Sequence, residues 1–278
     1  MNLNRHEIPA IFSAFPILMR VVWAVKFGLY PRVAVIYKHL RSLQFRGKRI
    51  LDLGSGDGQF LDPIVLSRPN SIAVVDISAS NLNFTKLLFP MVETHVQDIE
   101  LFLKQADSSK YDYVQCISTL QYLENSQVII DNIRRVLAHK GRFLLYVPLN
   151  QFQEFFLYRW VFDRFSNYET RMNRKRIFSL GEIHQYLEIA GFEIESFTPT
   201  YGWFGRWSHE LLSIGTILGS QSNLLLKLTG LIWLFHFIWV ILILNVLEYA
   251  FPPTESERFN GAVFVLGAGL PPWFEMIC

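Results

Sequence analysis

Short apolar runs alternate with helical segments between about residues 48 and 147. The runs RILDLGS, SIAVVDIS, THVQDIE, YDYVQCIS and GRFLLYVPL predict five strands, and the stretches between them predict helices. Runs such as IAVVDI and FLLYVP are apolar without alternation, which is typical of strands buried on both faces of a parallel sheet. This order of strands and helices predicts a doubly wound α/β fold.

Two more strands are predicted beyond Pro148. SLGEIHQYLEIAGFEIESFTP predicts a capped helix that stops at Gly191 and then a sixth strand, and FNGAVFVLGAGL predicts a seventh. The expected architecture is a Rossmann-like, seven-stranded sheet with an apolar helical insert before the last strand. Its segments are an N-terminal amphipathic helical segment at 1–44, a core at 45–200, the insert at 201–258, and the last strand and tail at 259–278.

An apolar run from Ile8 to Met19 follows Arg5, as in the core of a signal peptide. No small-residue cleavage pattern follows, and Arg20 and Lys26 interrupt the run, so we interpret this segment as an amphipathic helix. The apolar side predicted for it comprises Phe12, Phe15, Met19, Trp23 and Phe27. Two interpretations of that side stay open: packing on the protein's own core and contact with a membrane.

Composition and charge narrow the classes of function. The net charge of +2 and the pI near 8.5 are too mild to indicate a nucleic-acid partner. Hydrophobic residues make up 51% and charged residues 18% of the chain, and the mean hydropathy of +0.22 is apolar for a soluble enzyme. Cys116 and Cys278 form neither a disulfide framework nor a metal-binding spacing, so we expect a reducing compartment and no metal.

Glycine occupies three alternate positions in LDLGSGDGQF, directly after the first predicted strand. Gly54, Gly56 and Gly58 can take positive φ and let a ligand approach the backbone closely. Backbone N–H groups at the start of the following helix can then donate to a carboxylate or phosphate. The G-x-G-x-G spacing differs from the G-x-G-x-x-G of dinucleotide sites, which disfavours a nicotinamide cofactor.

Acidic residues stand at the ends of three successive predicted strands. An adenosine with a cationic amino-acid tail needs one carboxylate for its ammonium group and another for its ribose hydroxyls. Asp52 and Asp76 stand at those two places, and Asp98 is placed to accept from the adenine amino group. A single Asp at a strand end is often a helix cap, whereas three of them with three glycines indicate a nucleoside site.

These segments resemble class I S-adenosylmethionine-dependent methyltransferases, of the broad kind that methylates quinones, lipids and other small molecules. ILDLGSGDG, VVDIS and VQDIE are similar to the family's first three motifs, and YDYVQCISTLQYLEN resembles its fourth strand and following loop. IRRVLAHKGRFLLYVPL and FSLGEIHQYLEIAGFEIESF are similar to the segments that contain its fifth strand and lead into its sixth. The resemblance covers about 45–200 and resumes at 259–270.

The resemblance implies S-adenosylmethionine as the cofactor. It implies that the three glycines approach the methionine part, that Asp76 holds the ribose, and that Ile77 lies against the adenine. The predicted cofactor-binding residues are Asp52, Gly54, Ser55, Gly56, Asp57, Gly58, Asp76, Ile77, Asp98, Ile99 and Ser118.

The acceptor side departs from the family pattern. Many relatives carry Glu-His where this chain has Gln121 and Tyr122, so no obvious general base follows the fourth strand. Holding the two reactants in line can itself supply much of the acceleration of methyl transfer. For the titratable candidates Tyr122, Glu154 and His184 we favour structural or surface roles. The predicted substrate-pocket residues are Gln121, Tyr122 and Asn150.

Residues 228–247 contain no Lys, Arg, Asp or Glu and are long enough to span a ~30 Å hydrocarbon core. A single crossing would separate 259–270 from the sheet to which that strand belongs. The chain therefore crosses twice, with 208–222 as the partner, or lies in the interface. We favour an interfacial or re-entrant hairpin with Trp203, Trp233 and Trp239 near the headgroups, and a soluble helical lid is the alternative.

The sequence thus predicts transfer of a methyl group from S-adenosylmethionine to a lipophilic small molecule at the cytoplasmic face of a membrane. It predicts neither a metal nor a nucleic-acid partner. Two alternatives stay open: an NAD(P)-dependent oxidoreductase, and a non-catalytic membrane-associated module with a methyltransferase fold.

Overall fold

The computed structural model describes residues 14–149, 156–165, 175–254 and 258–268. The strands within these ranges are β1 (Arg49–Leu53), β2 (Ser71–Asp76), β3 (Glu93–Val96), β4 (Tyr111–Ile117), β5 (Leu137–Pro148), β6 (Glu193–Thr200) and β7 (Gly261–Gly267). They form one sheet in the order β3-β2-β1-β4-β5-β7-β6. β7 is antiparallel to β5 and β6, and the other neighbouring strands are parallel. The predicted seven-stranded α/β fold is confirmed.

Helices cover both faces of the sheet. Those in the described residues are α1 (Pro16–Leu29), α2 (Pro31–Ser42), α3 (Asp62–Leu66), α4 (Ala79–Leu88), α5 (Ile99–Gln105), α6 (Ser126–Val136), α7 (Phe156–Phe165), α8 (Leu180–Ile189), α9 (Trp203–Gly219) and α10 (Leu224–Ala250). α1 to α4 pack over one face, and α5, α6 and α8 pack over the other. A short 3₁₀ turn, Leu120–Tyr122, follows β4.

Amphipathic spacing explains how these helices attach. In α6, Ile129, Ile130, Ile133 and Val136 recur at helical intervals and are fully buried against the sheet. Burying each such side chain contributes about 1.5–3 kcal/mol. The strands present apolar side chains to both faces, as their unbroken apolar runs predicted.

The carboxyl ends of the parallel strands define one edge of the sheet, and β6 and β7 also reach it. Pro148 of β5 and Thr200 of β6 both pair with Gly261, the first residue of β7. The turn after β1, the loop after β4 and the end of β6 therefore lie along this carboxyl edge. In doubly wound sheets this is where ligands bind.

The N-terminal segment is two helices rather than one. Pro31 begins α2, and the preceding Tyr30 is extended because a residue before proline disfavours the helical region. Met19 and Trp23 pack on the core, whereas Phe15 and Phe27 are exposed, so the predicted aromatic stripe is not one buried face. Phe12 lies outside the described residues.

The predicted helix and stop before β6 are confirmed. Ser179 and Glu182 form a capping box at the start of α8. Gly191 follows the helix with a φ of +73°, a left-handed conformation that glycine adopts without strain.

The insert is an antiparallel hairpin of α9 and α10. The two helices approach closely at glycines, since a Cβ on Gly230 would lie 2.2 Å from the Gly219 nitrogen and 2.7 Å from the Gly215 oxygen. Gly215 and Gly219 form a G-x-x-x-G pair, the spacing that brings helix backbones together in membranes. By length and composition, α10 is the described helix that could cross a membrane.

Candidate functional site

The turn after β1 uses its three glycines in different ways. Gly54, Gly56 and Gly58 all have positive φ, at +75°, +55° and +78°. A Cβ on Gly54 would collide with Thr119, and one on Gly58 would press against Thr85. At Gly56 a Cβ would meet nothing within 4 Å. Gly56 is therefore the position where the backbone is open to a ligand.

Asp76 connects this turn to the end of β2. One carboxylate oxygen accepts from the Gly56 N–H at 2.9 Å, and the other accepts from the Ser78 N–H at 2.8 Å. Burial raises the pKa of Asp76, and the same backbone donors offset part of that effect. Asp76, the residue predicted to bind the ribose, thus lies directly beside the turn predicted to bind the methionine part of the cofactor.

Asp52 is the most deeply buried acid of the predicted set, at 3% exposed. Burial raises its pKa to about 7, a hydrogen bond with the Gln115 side chain acts in the opposite direction, and the nearby Asp76 carboxylate acts in the same direction as burial. A buried carboxylate is stabilised by a bound cation, so this position suits the ammonium group of an amino acid.

Two buried polar atoms of the turn, Ser55 Oγ and Gln59 Nε2, have no hydrogen-bond partner within the described residues. Such atoms are rare in folded proteins and often await a ligand or water. Together with the open space at Gly56, they fit a polar ligand such as S-adenosylmethionine. Ser55 was predicted from the sequence. Gln115, on the neighbouring strand β4, shares a side-chain hydrogen bond with Asp52.

Gln59 and Gln115 were missed by the sequence analysis. Gln115 is the register partner of Asp52 and the one amide in the apolar strand YDYVQCI. A single amide in an otherwise apolar strand was the signal in the sequence that this position is functional, because a fully buried amide in a central strand needs a hydrogen-bond partner.

Asp57 has partners in the protein for both of its oxygens. Trp23 Nε1 donates to Asp57 Oδ2 at 3.1 Å, and the Lys26 ammonium lies 3.4 Å from the same oxygen. The Gln59 N–H donates to Asp57 Oδ1 at 3.2 Å. The residue therefore connects α1 to the glycine turn, a role that the sequence did not reveal.

The other predicted adenosine-side residues follow β2 and β3. Ile77 is 57% exposed beside Asp76, as a residue that packs against a ligand would be. Asp98 caps α5 by accepting from the N–H groups of Glu100 and Leu101 through a single oxygen, Oδ1. Ile99, the first residue of α5, is buried in the core.

The loop after β4 brings two of the three predicted substrate-pocket residues, Gln121 and Tyr122, to the same edge. Ser118 has a left-handed φ of +55°, and its N–H donates to the Tyr146 carbonyl of β5. Gln121 is buried, its Nε2 donates to the Ser118 carbonyl at 2.9 Å, and its Oε1 lacks a partner within the described residues. Tyr122 is half-buried beside it, and Asn150 lies outside the described residues.

Two other titratable side chains have packing roles. His184 is exposed on α8, and its ring lies edge-on to the rings of Phe197 and Phe264. Burial raises the pKa of the Cys116 thiol to about 12, so it is a small core residue rather than a nucleophile. Glu154 lies outside the described residues.

A second polar group at the carboxyl edge was not predicted from the sequence. Tyr201, directly after β6, is 5% exposed and has a left-handed φ of +60°, unusual for a bulky residue. Tyr201 Oη and Thr200 Oγ1 are buried without hydrogen-bond partners in the described part of the chain. The rings of Tyr201 and His209 lie 5.4 Å apart. Strained, polar and unsatisfied positions of this kind concentrate at functional sites.

Comparison with known proteins identifies the family. A family model described as a methyltransferase domain matches residues 31–196, which is more than half of the chain. The chain belongs to this family of methyltransferases. S-Adenosylmethionine is the expected cofactor, and the residues at the carboxyl edge fit it. No curated protein sequence gives a significant match.

Solved structures share the fold at low sequence identity. An S-adenosylmethionine-dependent methyltransferase from Archaeoglobus fulgidus is 14% identical, with a TM-score of 0.52 over 84% of this chain and 93% of that one. A Haemonchus contortus phosphoethanolamine N-methyltransferase is 17% identical, with a TM-score of 0.54 over 84% of this chain and 51% of that one. The [4+2]-cyclase SpnF is 15% identical, with a TM-score of 0.56 over 87% and 82% of the two chains. These likenesses show the fold.

Proposed function

We propose that this methyltransferase acts on a lipophilic acceptor at the cytoplasmic face of a membrane. The proposal rests on one observation. α10 presents a long apolar face to the outside, and only 17% of the most apolar 18-residue stretch of this helix is buried in the protein. A contiguous apolar surface of this length marks a site of lipid or partner binding. The large exposed side chains are Leu224, Leu225, Leu228, Leu231, Ile232, Phe235, Trp239, Val240, Ile243, Val246 and Tyr249.

The base of the hairpin is fixed at the carboxyl edge. The Glu248 carboxylate accepts from the N–H groups of Gly202 and Gly205 at 2.7 and 2.9 Å, just after the end of β6. Asn245 accepts from the Ser208 hydroxyl and donates to the Gly28 carbonyl. The polar side chains near the end of α10 thus face the protein. An acceptor dissolved in lipid would reach the cofactor site along the same edge.

Charges on α7 favour a hairpin that lies in the interface over one that spans. α7 packs on the outer half of α9 through Tyr158 and Val161. Its opposite side carries the exposed Arg159–Asp163 ion pair. A spanning hairpin would draw this pair into hydrocarbon, where charged groups are costly. An interfacial hairpin leaves the pair among headgroups and lets α10 bury its apolar face.

We place the polar end of the acceptor beside Tyr201 and Thr200, at the end of β6. Tyr201 Oη and Thr200 Oγ1 would gain the partners they lack from an oxygen or nitrogen of the acceptor. Arg32 faces the same region, with its guanidinium carbon 5.9 Å from the ring centre of Tyr146. Burial raises the pKa of Tyr201, so its hydroxyl stays protonated and can donate.

The reaction then depends mainly on alignment. S-Adenosylmethionine supplies an electrophilic sulfonium methyl group when bound. Asp52 and Asp76 would fix the ammonium and ribose ends, and the open backbone at Gly56 would admit the methionine part. The loop after β4, which contains Gln121, would hold the acceptor on the side of the methyl group opposite to the cofactor. Such positioning lowers the barrier by converting an encounter of two molecules into an intramolecular step.

Neither alternative function gains support from the site. An oxidoreductase would use the dinucleotide glycine spacing, which this turn lacks, and the family match is to methyltransferases. SpnF shows that a protein of this fold can catalyse a different reaction, so the acceptor chemistry needs a direct test.

Vesicle flotation tests the membrane part of the proposal. We expect the wild-type protein to float with phosphatidylcholine–phosphatidylglycerol vesicles. We expect the double variant Phe235→Ser/Trp239→Ser to bind them about tenfold more weakly, because it removes two large apolar side chains from the exposed face of α10. Leu66→Ser/Met91→Ser is the matched control, since both residues are exposed and lie outside the hairpin. Equal losses in both double variants, or a wild-type protein that does not float, would contradict the proposal.

A further inference from the structure

Side chains of α1 contact the glycine turn, residues 54–58. Trp23 and Lys26 both reach Asp57, which lies between Gly56 and Gly58. One turn earlier on the same helix, Arg20 forms an ion pair with Asp62 at 3.3 Å, at the start of α3. A movement of α1 would therefore be transmitted directly to the cofactor-binding turn.

The other side of α1 is apolar and exposed. Ile17, Val21 and Val25 recur every fourth residue and are 66%, 57% and 53% exposed. This spacing places them on one stripe of the helix, away from Met19 and Trp23 in the core. The predicted aromatic side of this segment does not include the stripe.

The segment that carries this stripe is basic. Residues 8–51 contain eight Lys and Arg and no Asp or Glu. Acidic residues from elsewhere in the chain pair with three of these eight, Arg20, Lys26 and Arg49. An apolar stripe on a basic, acid-free segment matches an anionic lipid surface in both polarity and charge. A second copy of this chain would place two positively charged segments together.

The stripe adjoins the apolar face of α10. Asn245 Nδ2 donates to the Gly28 carbonyl at 2.9 Å, and a Cβ on Gly28 would lie 3.9 Å from Leu242. Phe27 on α1 and Val246 on α10 are exposed next to this contact. The two helices therefore offer adjoining apolar surfaces.

We infer that α1 is a second lipid-binding surface and that an anionic bilayer bound to it tightens the cofactor site. This inference rests on the proposed membrane location. A bilayer that binds α1 in the position seen here favours the arrangement in which Trp23 and Lys26 contact Asp57. Lipid and cofactor then stabilise the same position of α1, so each increases the affinity for the other by the same factor.

The test compares the affinity for S-adenosylhomocysteine with and without vesicles made of an equal mixture of phosphatidylcholine and phosphatidylglycerol. We expect the vesicles to lower the Kd at least fivefold for the full-length wild-type protein. S-Adenosylhomocysteine should strengthen vesicle binding by the same factor. Trp23→Phe, which keeps an aromatic side chain and removes the donor to Asp57, should reduce the vesicle-dependent gain.

The Val21→Asp variant distinguishes the effect of the apolar stripe on α1 from the effect of the contacts between α1 and the glycine turn. It should keep the affinity for S-adenosylhomocysteine in solution and lose the gain from vesicles, because an exposed charge on the stripe opposes insertion into lipid. Val128→Asp, on the exposed side of α6, is the matched control and should keep the gain.

Three results would overturn the inference. A wild-type protein that floats with vesicles at an unchanged Kd would refute it and leave the proposed membrane location standing. A Val21→Asp variant that keeps the full gain would show that α1 is not the coupled surface. A wild-type protein that does not float would refute both proposals.

Discussion

Gly56→Val should abolish binding of S-adenosylmethionine and S-adenosylhomocysteine while the chain stays folded. Gly56 is the one glycine of the turn whose Cβ position is open, and we interpret that space as the ligand's. A branched side chain would fill it. We expect the Kd in calorimetry to rise at least about a hundredfold, which equals or exceeds the upper end of the loss expected from one charge-assisted hydrogen bond.

Gly47→Val separates steric exclusion from backbone strain. Gly47 has a φ of +72°, also has open space at its Cβ position, and lies before β1 at the opposite edge of the sheet. Both variants should lose similar thermal stability, because both place a β-branched residue at positive φ. Only Gly56→Val should lose the cofactor. Unchanged binding would make residues 51–60 an ordinary turn between two elements.

Asp52→Asn should weaken cofactor binding about tenfold to a hundredfold, since a charged hydrogen bond contributes about 1.5–3 kcal/mol. The wild-type affinity should also fall as the pH drops below about 7, because protonated Asp52 cannot pair with an ammonium group. The variant should lack that pH dependence between pH 6 and 8. Asp112→Asn is the control, because Asp112 pairs with Arg49 at the opposite edge and should not affect binding.

The same substitution should stabilise the protein without its cofactor at alkaline pH. The pKa of Asp52 is higher in the folded chain than in the unfolded chain, so its contribution to stability is fully present below the unfolded pKa and is lost as the pH rises through about 7. Thermal unfolding should therefore show Asp52→Asn more stable than wild type at pH 8. A wild type as stable as the variant at both pH 6 and pH 8 would contradict this account.

The sequence predicted those parts of the site that depend on local order. The glycines and the strand-end acids are adjacent to apolar runs, so their places at the carboxyl edge follow from the strand assignments. Asp57 was assigned to the cofactor because it lies within the glycine motif. Its partners Trp23 and Lys26 are more than thirty residues away, and no local pattern indicates such a contact.

Other features depend on how distant segments pack. Gln115 faces Asp52 only because β1 and β4 are neighbours in a particular register. Tyr201 and Thr200 lose contact with water only when β6, β7 and the hairpin come together. The break between α1 and α2 could have been predicted, since Pro31 was visible in the sequence.

The central claim is methyl transfer to a lipophilic acceptor. Its most direct test incubates the purified protein with S-adenosylmethionine tritiated in the methyl group and with membranes of the source organism. The organic extract and the aqueous phase are then counted separately. We expect label in the organic extract with wild-type protein and none with Gly56→Val. Label transferred only to water-soluble products, after their separation from unreacted S-adenosylmethionine, or no transfer by a protein that binds the cofactor, would contradict the account.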